Sequence, residues 1–193
     1  MHRPRTAACL VAAAVALALS ACPKPHDSAF DDHDIRFTMA PGWNADEEPH
    51  KPGVDVRFVS AHGPEHALVM IASLPAAAPT TLAGFAATVA GKRVAAVEQK
   101  LAVGGVKLGG EDALHASEAR ARIGAVDVVG IGQEFSVTLL GQAVPHTAQF
   151  FMVPLAGRKV FVTLQAPTKN LADERDGMQK ILDTLALAPA DHG

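Results

Sequence analysis

Between Leu114 and Ala166 the chain offers one strand-forming run after another and no stretch with helical spacing. Ala119 to Ile123 alternates apolar and polar residues, and so does Phe135 to Leu139. Thr147 to Val153 and Val160 to Gln165 follow, split by a turn at Ala156-Gly157-Arg158. A period of two means one face of each strand is buried. Consecutive strands joined by short turns pair antiparallel, because a parallel pair needs a long crossover. The half of the domain after Leu114 therefore reads as a β-meander.

The half before it mixes strands with one helix. Ile35 to Met39 alternates and runs into Pro41-Gly42-Trp43, a turn. Val54 to Val59 alternates again, and His62-Gly63-Pro64-Glu65-His66 is a turn by composition. Ala67 to Leu74 is apolar almost throughout, the pattern of a central strand buried on both faces. Thr80 or Thr81 can cap a helix in which Leu82, Phe85, Val89 and Ala96 share one face, with Val97 at its margin. A last helix follows Pro167, with Asn170 as its N-cap, Asp173 and Glu174 in its first turn, and Leu171, Met178, Ile181, Leu182 and Leu185 as its apolar stripe. The predicted class is α+β: an antiparallel sheet flanked by two helices.

The N-terminus is an address. Arg3 and Arg5 precede an uncharged, Ala-rich run from Thr6 to Ala21. A spanning helix needs about 20 strongly apolar residues; this run is milder and suits the core of an export signal. It ends in Leu19-Ser20-Ala21-Cys22, which resembles a bacterial lipobox. There Cys22 takes a diacylglycerol, and cleavage leaves it as the first mature residue. Cleavage at Ala16-Leu17-Ala18 is the alternative. The expected division is 1–21 signal peptide, 22–34 lipid-anchored flexible tether, 35–187 one domain and 188–193 a loose tail. Pro23, where Asp favours inner-membrane retention in enteric bacteria, points to the outer membrane, with the domain facing the periplasm.

Composition narrows the function. The only cysteines are Cys9 and Cys22, so the mature domain has neither a disulfide nor a Cys-based metal or redox site. With no Tyr and one Trp, the core is built from Val, Leu, Ile, Ala and Phe. The net charge is −3, and losing Arg3 and Arg5 makes the mature chain more acidic. A nucleic-acid partner would need a basic footprint.

Catalytic motifs are missing. No Gly-x-Ser-x-Gly elbow is present. Gly130-Ile131-Gly132 continues as Gln133-Glu134-Phe135 and not as a dinucleotide loop. Glu111-Asp112 reads as a polar turn. His62 and His66 stand four apart, but Gly63-Pro64 forbids the helix that would align them on a metal. His26 and His33 with Asp31, Asp32 and Asp34 lack the fixed geometry of a metal site. No metal and no cofactor is expected. Trp43 is either an exposed binding aromatic or a ring folded back over the sheet edge, and the second reading is preferred. Arg120 and Arg122 share one strand face, where they receive an acidic partner or cover a solvent face with their stems.

Phe37-Thr38-Met39-Ala40-Pro41-Gly42-Trp43 resembles the opening strand and turn of the PsbP-like superfamily, which includes the DcrB-like bacterial lipoproteins. The strands Phe150 to Val153 and Lys159 to Leu164, and the closing Ile181-Leu182-Asp183-Thr184-Leu185, are similar to it as well. The stretch from Val126 to Gly141 is long for a plain meander and departs from that pattern. The resemblance implies an α/β/α sandwich and a non-enzymatic envelope protein that docks or assembles protein partners. A carrier of a small apolar molecule, held between sheet and helix, is the alternative. A hydrolase would need a site outside the motifs considered above.

Overall fold

The computed structural model describes residues 26–32, 34–49, 53–104, 107–109, 117–139 and 142–187. The lipobox with Cys22, His33, Glu111-Asp112 and the tail at 188–193 lie outside these residues. In chain order the strands are β1 (Ser28–Asp32), β2 (Ile35–Met39), β3 (Asn44–Glu47), β4 (Arg57–His62) and β5 (Leu68–Pro75). Helix α1 (Leu82–Gly104) leads to β6 (Lys107–Gly109), β7 (Ser117–Ile123), β8 (Val126–Leu139), β9 (Gln142–Leu155) and β10 (Arg158–Pro167). Helix α2 (Arg175–Thr184) and β11 (Ala186–Leu187) complete the chain.

The large sheet has the order β3-β4-β5-β10-β9-β8-β6, with β7 also paired to β8, and its pairings are antiparallel. A second sheet has the order β1-β2-β11. The fold is α+β, with the helices flanking the sheet loosely. The meander expected after Leu114 is β7 to β10. The β9–β10 turn places Ala156 at φ 46° and Gly157 at φ 74°, and two positive φ values in a row suit the twist of a two-residue hairpin. The long stretch after Val126 is one continuous strand whose first part pairs with β7 and whose last part pairs with β6.

Strand β10 explains the layering. Val160, Phe161, Val162, Thr163 and Leu164 are all buried, so both of its faces are covered. On one face Val160, Val162 and Leu164 join Val69 and Ile71 of β5 and Met178, Ile181 and Leu182 of α2. Ile35 and Phe37 of the small sheet pack into that same cluster. On the other face Phe161 joins Phe150 of β9 and Phe85 of α1. Each fully buried side chain of this size contributes about 1.5–3 kcal/mol. Thr81 caps α1, its Oγ1 accepting from the Gly84 amide at 3.1 Å.

Three expectations are corrected. The domain does not begin at Ile35: residues 28–32, read as tether, form β1. Phe30 stacks on Phe37 with centroids 4.9 Å apart, and Arg36 Nε donates to Asp31 Oδ1 at 2.9 Å. The last helix starts at Arg175, after a turn in which the Asp173 and Glu174 amides both bond the Asn170 carbonyl. Asn170 therefore does not cap it; its Nδ2 donates instead to Glu65 Oε2 at 3.3 Å. The strand expected from Val54 begins at Arg57. At the start of α2, Glu174 is 8 % exposed. Burial first, then the charges of Asp173 and Glu65, raise its carboxyl above the usual range. Its ionisation therefore costs stability above that raised value and nothing below the ordinary one.

The Pro41-Gly42 turn, with Gly42 at φ 85°, carries Trp43 back into the core, where it is 7 % exposed. The indole lies against Gly63 and Gly177; a Cβ on Gly177 would fall 2.8 Å from Trp43 Cε2. In a helix interior, Gly→Ala gains about 1 kcal/mol, but overpacking costs about 1–3 kcal/mol. Gly177→Ala is therefore expected to lower stability by about 1 kcal/mol in urea unfolding. In a Trp43→Phe background, where the ring is smaller, the same substitution should cost less or become stabilising.

Candidate functional site

Helix α1 leaves β5 at one side of the large sheet and reaches β6 at the far edge, packing on β8 and β9 as it passes. The flank formed by β4, β5 and β10 is left partly open beneath the first turns of the helix. A cleft of about 560 Å³ fills that space. Its floor is Phe58, Leu68 and Met70 with Thr163 beside Met70 on β10, and its roof is Phe85 and Val89 of α1. The lining follows from strand parity. Phe58, Met70 and Thr163 occupy the sheet face opposite α2, where Phe85 stacks on Phe161 with centroids 4.6 Å apart.

Two polar features break this apolar surface. Thr163 is fully buried, and its Oγ1 has no hydrogen-bond partner among the described residues. Arg93 is half-buried, and its Nε and Nη2 are buried without a partner among the described residues. Its guanidinium lies over the Phe135 ring, 4.4 Å from the centroid, and 5.5 Å from that of Phe150. Phe135 is sandwiched, since His146 stacks on it at 5.3 Å. Burial pushes the Arg93 guanidinium down to about 10, below its usual value. The adjacent Lys92 stands over Phe58 with Nζ 5.4 Å from the centroid. Glu48 is the one acid lining the cleft among the described residues, and it is exposed.

The residues singled out from sequence lie elsewhere. Trp43 is core packing and not a surface aromatic, because the Pro-Gly turn folds it inward. Arg120 and Arg122 are exposed on β7; Arg120 pairs with Glu118 at 2.6 Å. Both border a smaller, more polar hollow of about 350 Å³ beside α2 and do not line the large cleft. His62 ends β4, and His66 is the last residue of the short 3₁₀ turn Pro64–His66 between β4 and β5. Asp31 is paired with Arg36, and Asp27 with Lys180 at 2.6 Å. Gly130-Ile131-Gly132 lies inside β8 and begins no helix. Among the described residues no group of three or more His, Cys, Asp or Glu is placed to hold a metal. No helix of the described residues is long and apolar enough to cross a membrane.

Sequence reading missed Arg93 and Thr163. Arg93 had a signal: it falls four residues after Val89, on the stripe that Leu82, Phe85 and Val89 define. Thr163 had none, since an alternating strand accepts Thr on either face. A buried hydroxyl left unpaired costs about 1–3 kcal/mol. Thr163→Val, of similar shape, is therefore expected to raise the stability of the ligand-free protein by about 1 kcal/mol in urea unfolding.

No protein-family model and no curated protein matches the chain. Among solved structures it is similar to cyanobacterial PsbP (CyanoP) of Synechocystis sp. PCC 6803, at 14% identity over 89% of this chain and 99% of that one, with a TM-score of 0.43. It is similar to a Bacteroides thetaiotaomicron protein at 14% identity, covering 81% of this chain and 46% of that one, with a TM-score of 0.43. LpqN of Mycobacterium tuberculosis, described as involved in cell envelope biogenesis, is 13% identical over 85% of this chain and 91% of that one, with a TM-score of 0.37.

Proposed function

We propose that this is a non-enzymatic envelope lipoprotein of PsbP-like fold whose domain holds an apolar ligand in the cleft between α1 and the sheet. The cleft carries the reading. Apolar side chains surround a space of about 560 Å³, within the range of small-molecule sites. Of the two binding roles weighed from sequence, protein docking and apolar-ligand carriage, the cleft favours the second. Trp43, read from sequence as a ring folded back over the sheet edge, is buried, and Arg120 and Arg122 are exposed on a different part of the sheet.

The lipid anchor rests on Leu19-Ser20-Ala21-Cys22 and the preceding apolar run. Two or three acyl chains on Cys22 would hold the protein at a bilayer far more firmly than one. Because β1 belongs to the domain, the spacer ends before Ser28 and keeps the cleft nearer the membrane than a tether to residue 34 would. The anchor faces the outer membrane's periplasmic side on the Pro23 argument.

Both parts can be tested. The protein lacking residues 1–21 should bind N-phenyl-1-naphthylamine, seen as enhanced and blue-shifted fluorescence. Val89→Trp, which places an indole in the cleft, should abolish that signal while leaving the melting temperature within a few degrees. Undiminished binding by this folded variant would rule out the cleft as the site. In cells, Cys22→Ala should lose metabolic labelling by palmitate and leave the membrane fraction or retain its signal. A variant processed and membrane-bound like the wild type would contradict the anchor.

A further inference from the structure

The cleft is mostly apolar, and Lys92 and Arg93 are the cations in its lining. Arg93 lines it, and its guanidinium, which lies over Phe135 and Phe150 beside the cleft, has Nε and Nη2 buried with no acceptor among the described residues. A buried charged donor left unpaired is costly, and the usual remedies are an ion pair or a hydrogen-bond network. The aromatic rings beneath Arg93 attract its charge through their faces, but they accept no hydrogen bond along the N–H directions. Gln133 Oε1, itself buried and without a partner among the described residues, belongs to the same strand as Phe135. A neutral amide would leave the positive charge uncompensated. Lys92 adds a second cation at the helix, and Glu48, the single acid of the lining among the described residues, is exposed.

We infer that the ligand is a single-chain amphiphile with an anionic carboxylate or phosphate head, its head held by Arg93 and its chain lying along Phe58, Met70 and Val89. This inference rests on the cleft-binding reading above and specifies the ligand class. A planar guanidinium suits either head group, since both present oxygens that accept parallel N–H bonds. Such an oxygen supplies the acceptor that Arg93 lacks. The head and the apolar chain are recognised separately, so each can be varied alone.

The test uses the protein lacking residues 1–21, N-phenyl-1-naphthylamine as reporter, and competitors with one chain length and different heads. These are dodecanoate, dodecanol and dodecyltrimethylammonium, all below their micelle concentrations. The wild type is expected to release the reporter to dodecanoate at about one tenth, or less, of the dodecyltrimethylammonium concentration required. Arg93→Gln is expected to weaken dodecanoate about tenfold while leaving dodecanol within about twofold. Arg93→Lys should recover part of the loss, as a charge without the planar fork. Equal competition by the anionic and cationic heads on wild type, which requires no variant, would overturn the inference. So would an Arg93→Gln variant that loses dodecanol and dodecanoate alike. If the reporter and all three competitors fail to bind, the cleft-binding reading falls and this one with it. If dodecanol binds but the head makes no difference, only the anionic head is refuted.

Discussion

A strand buried on both faces imposes two coverings, and β10 is that strand. It pairs along nearly its whole length with β5 on one side and β9 on the other. With no disulfide among its residues, the domain is held by apolar burial and these ladders. The α2 face is covered closely, because the small sheet, α2 and Trp43 together fill it. Among the described residues the α1 face is covered by one helix. A helix is about 10–12 Å across with its side chains, and strands stand 4.7–4.9 Å apart. One helix therefore cannot cover every strand of the large sheet. The cleft is the remainder of that mismatch, and its floor is apolar because the sheet face continues beyond the helix.

The position of Trp43 shows how local sequence serves the closely packed face. Proline and glycine set the turn, and the turn determines where the ring goes. Gly63 and Gly177 lie against the indole because a side chain on either would occupy the same space. Among the described residues the α1 face holds no Trp. Phe85 stacks on Phe161 and meets Phe150 edge-on at 6.5 Å, which pins the helix at one point. Past that contact the roof is Val89, then the cations Lys92 and Arg93. The transition from apolar to charged along one helix face gives the site its two-part character.

Much of the architecture was legible in the sequence. The period-two runs at Ile35 to Met39 and Thr147 to Val153 became strands, and the continuous apolar run after Ala67 became an inner strand, because burial leaves a direct mark on residue choice. Thr81 as a cap was legible for the same reason: a local hydrogen bond has a local signature. What escaped is non-local. Ser28–Asp32 carries one large apolar residue, Phe30, and becomes a strand through its pairing and ring stacking with β2. The start of α2 shifted because the Asn170 side chain was drawn to Glu65, 105 positions away in the chain. A cleft between sheet and helix was anticipated as a class of site, but not its polar residues. Lys92 and Arg93 are adjacent charges in the sequence, and only the packing of α1 on β8 and β9 brings Arg93 over Phe135. Trp43, Arg120 and Arg122 attracted attention as rare or charged residues, a criterion that says nothing about which surface is concave.

The central claim is that the space beneath α1 is filled by an amphiphile in the living cell. Native mass spectrometry tests it most directly, on full-length protein taken from its own host's envelope in polymer-bounded membrane discs. The account predicts a non-covalent adduct that leaves on collisional activation and is detected in negative-ion mode as a single-chain anion. Protein that appears only at the mass of the polypeptide and its covalent lipid, with no dissociable adduct under the mildest activation, would contradict it.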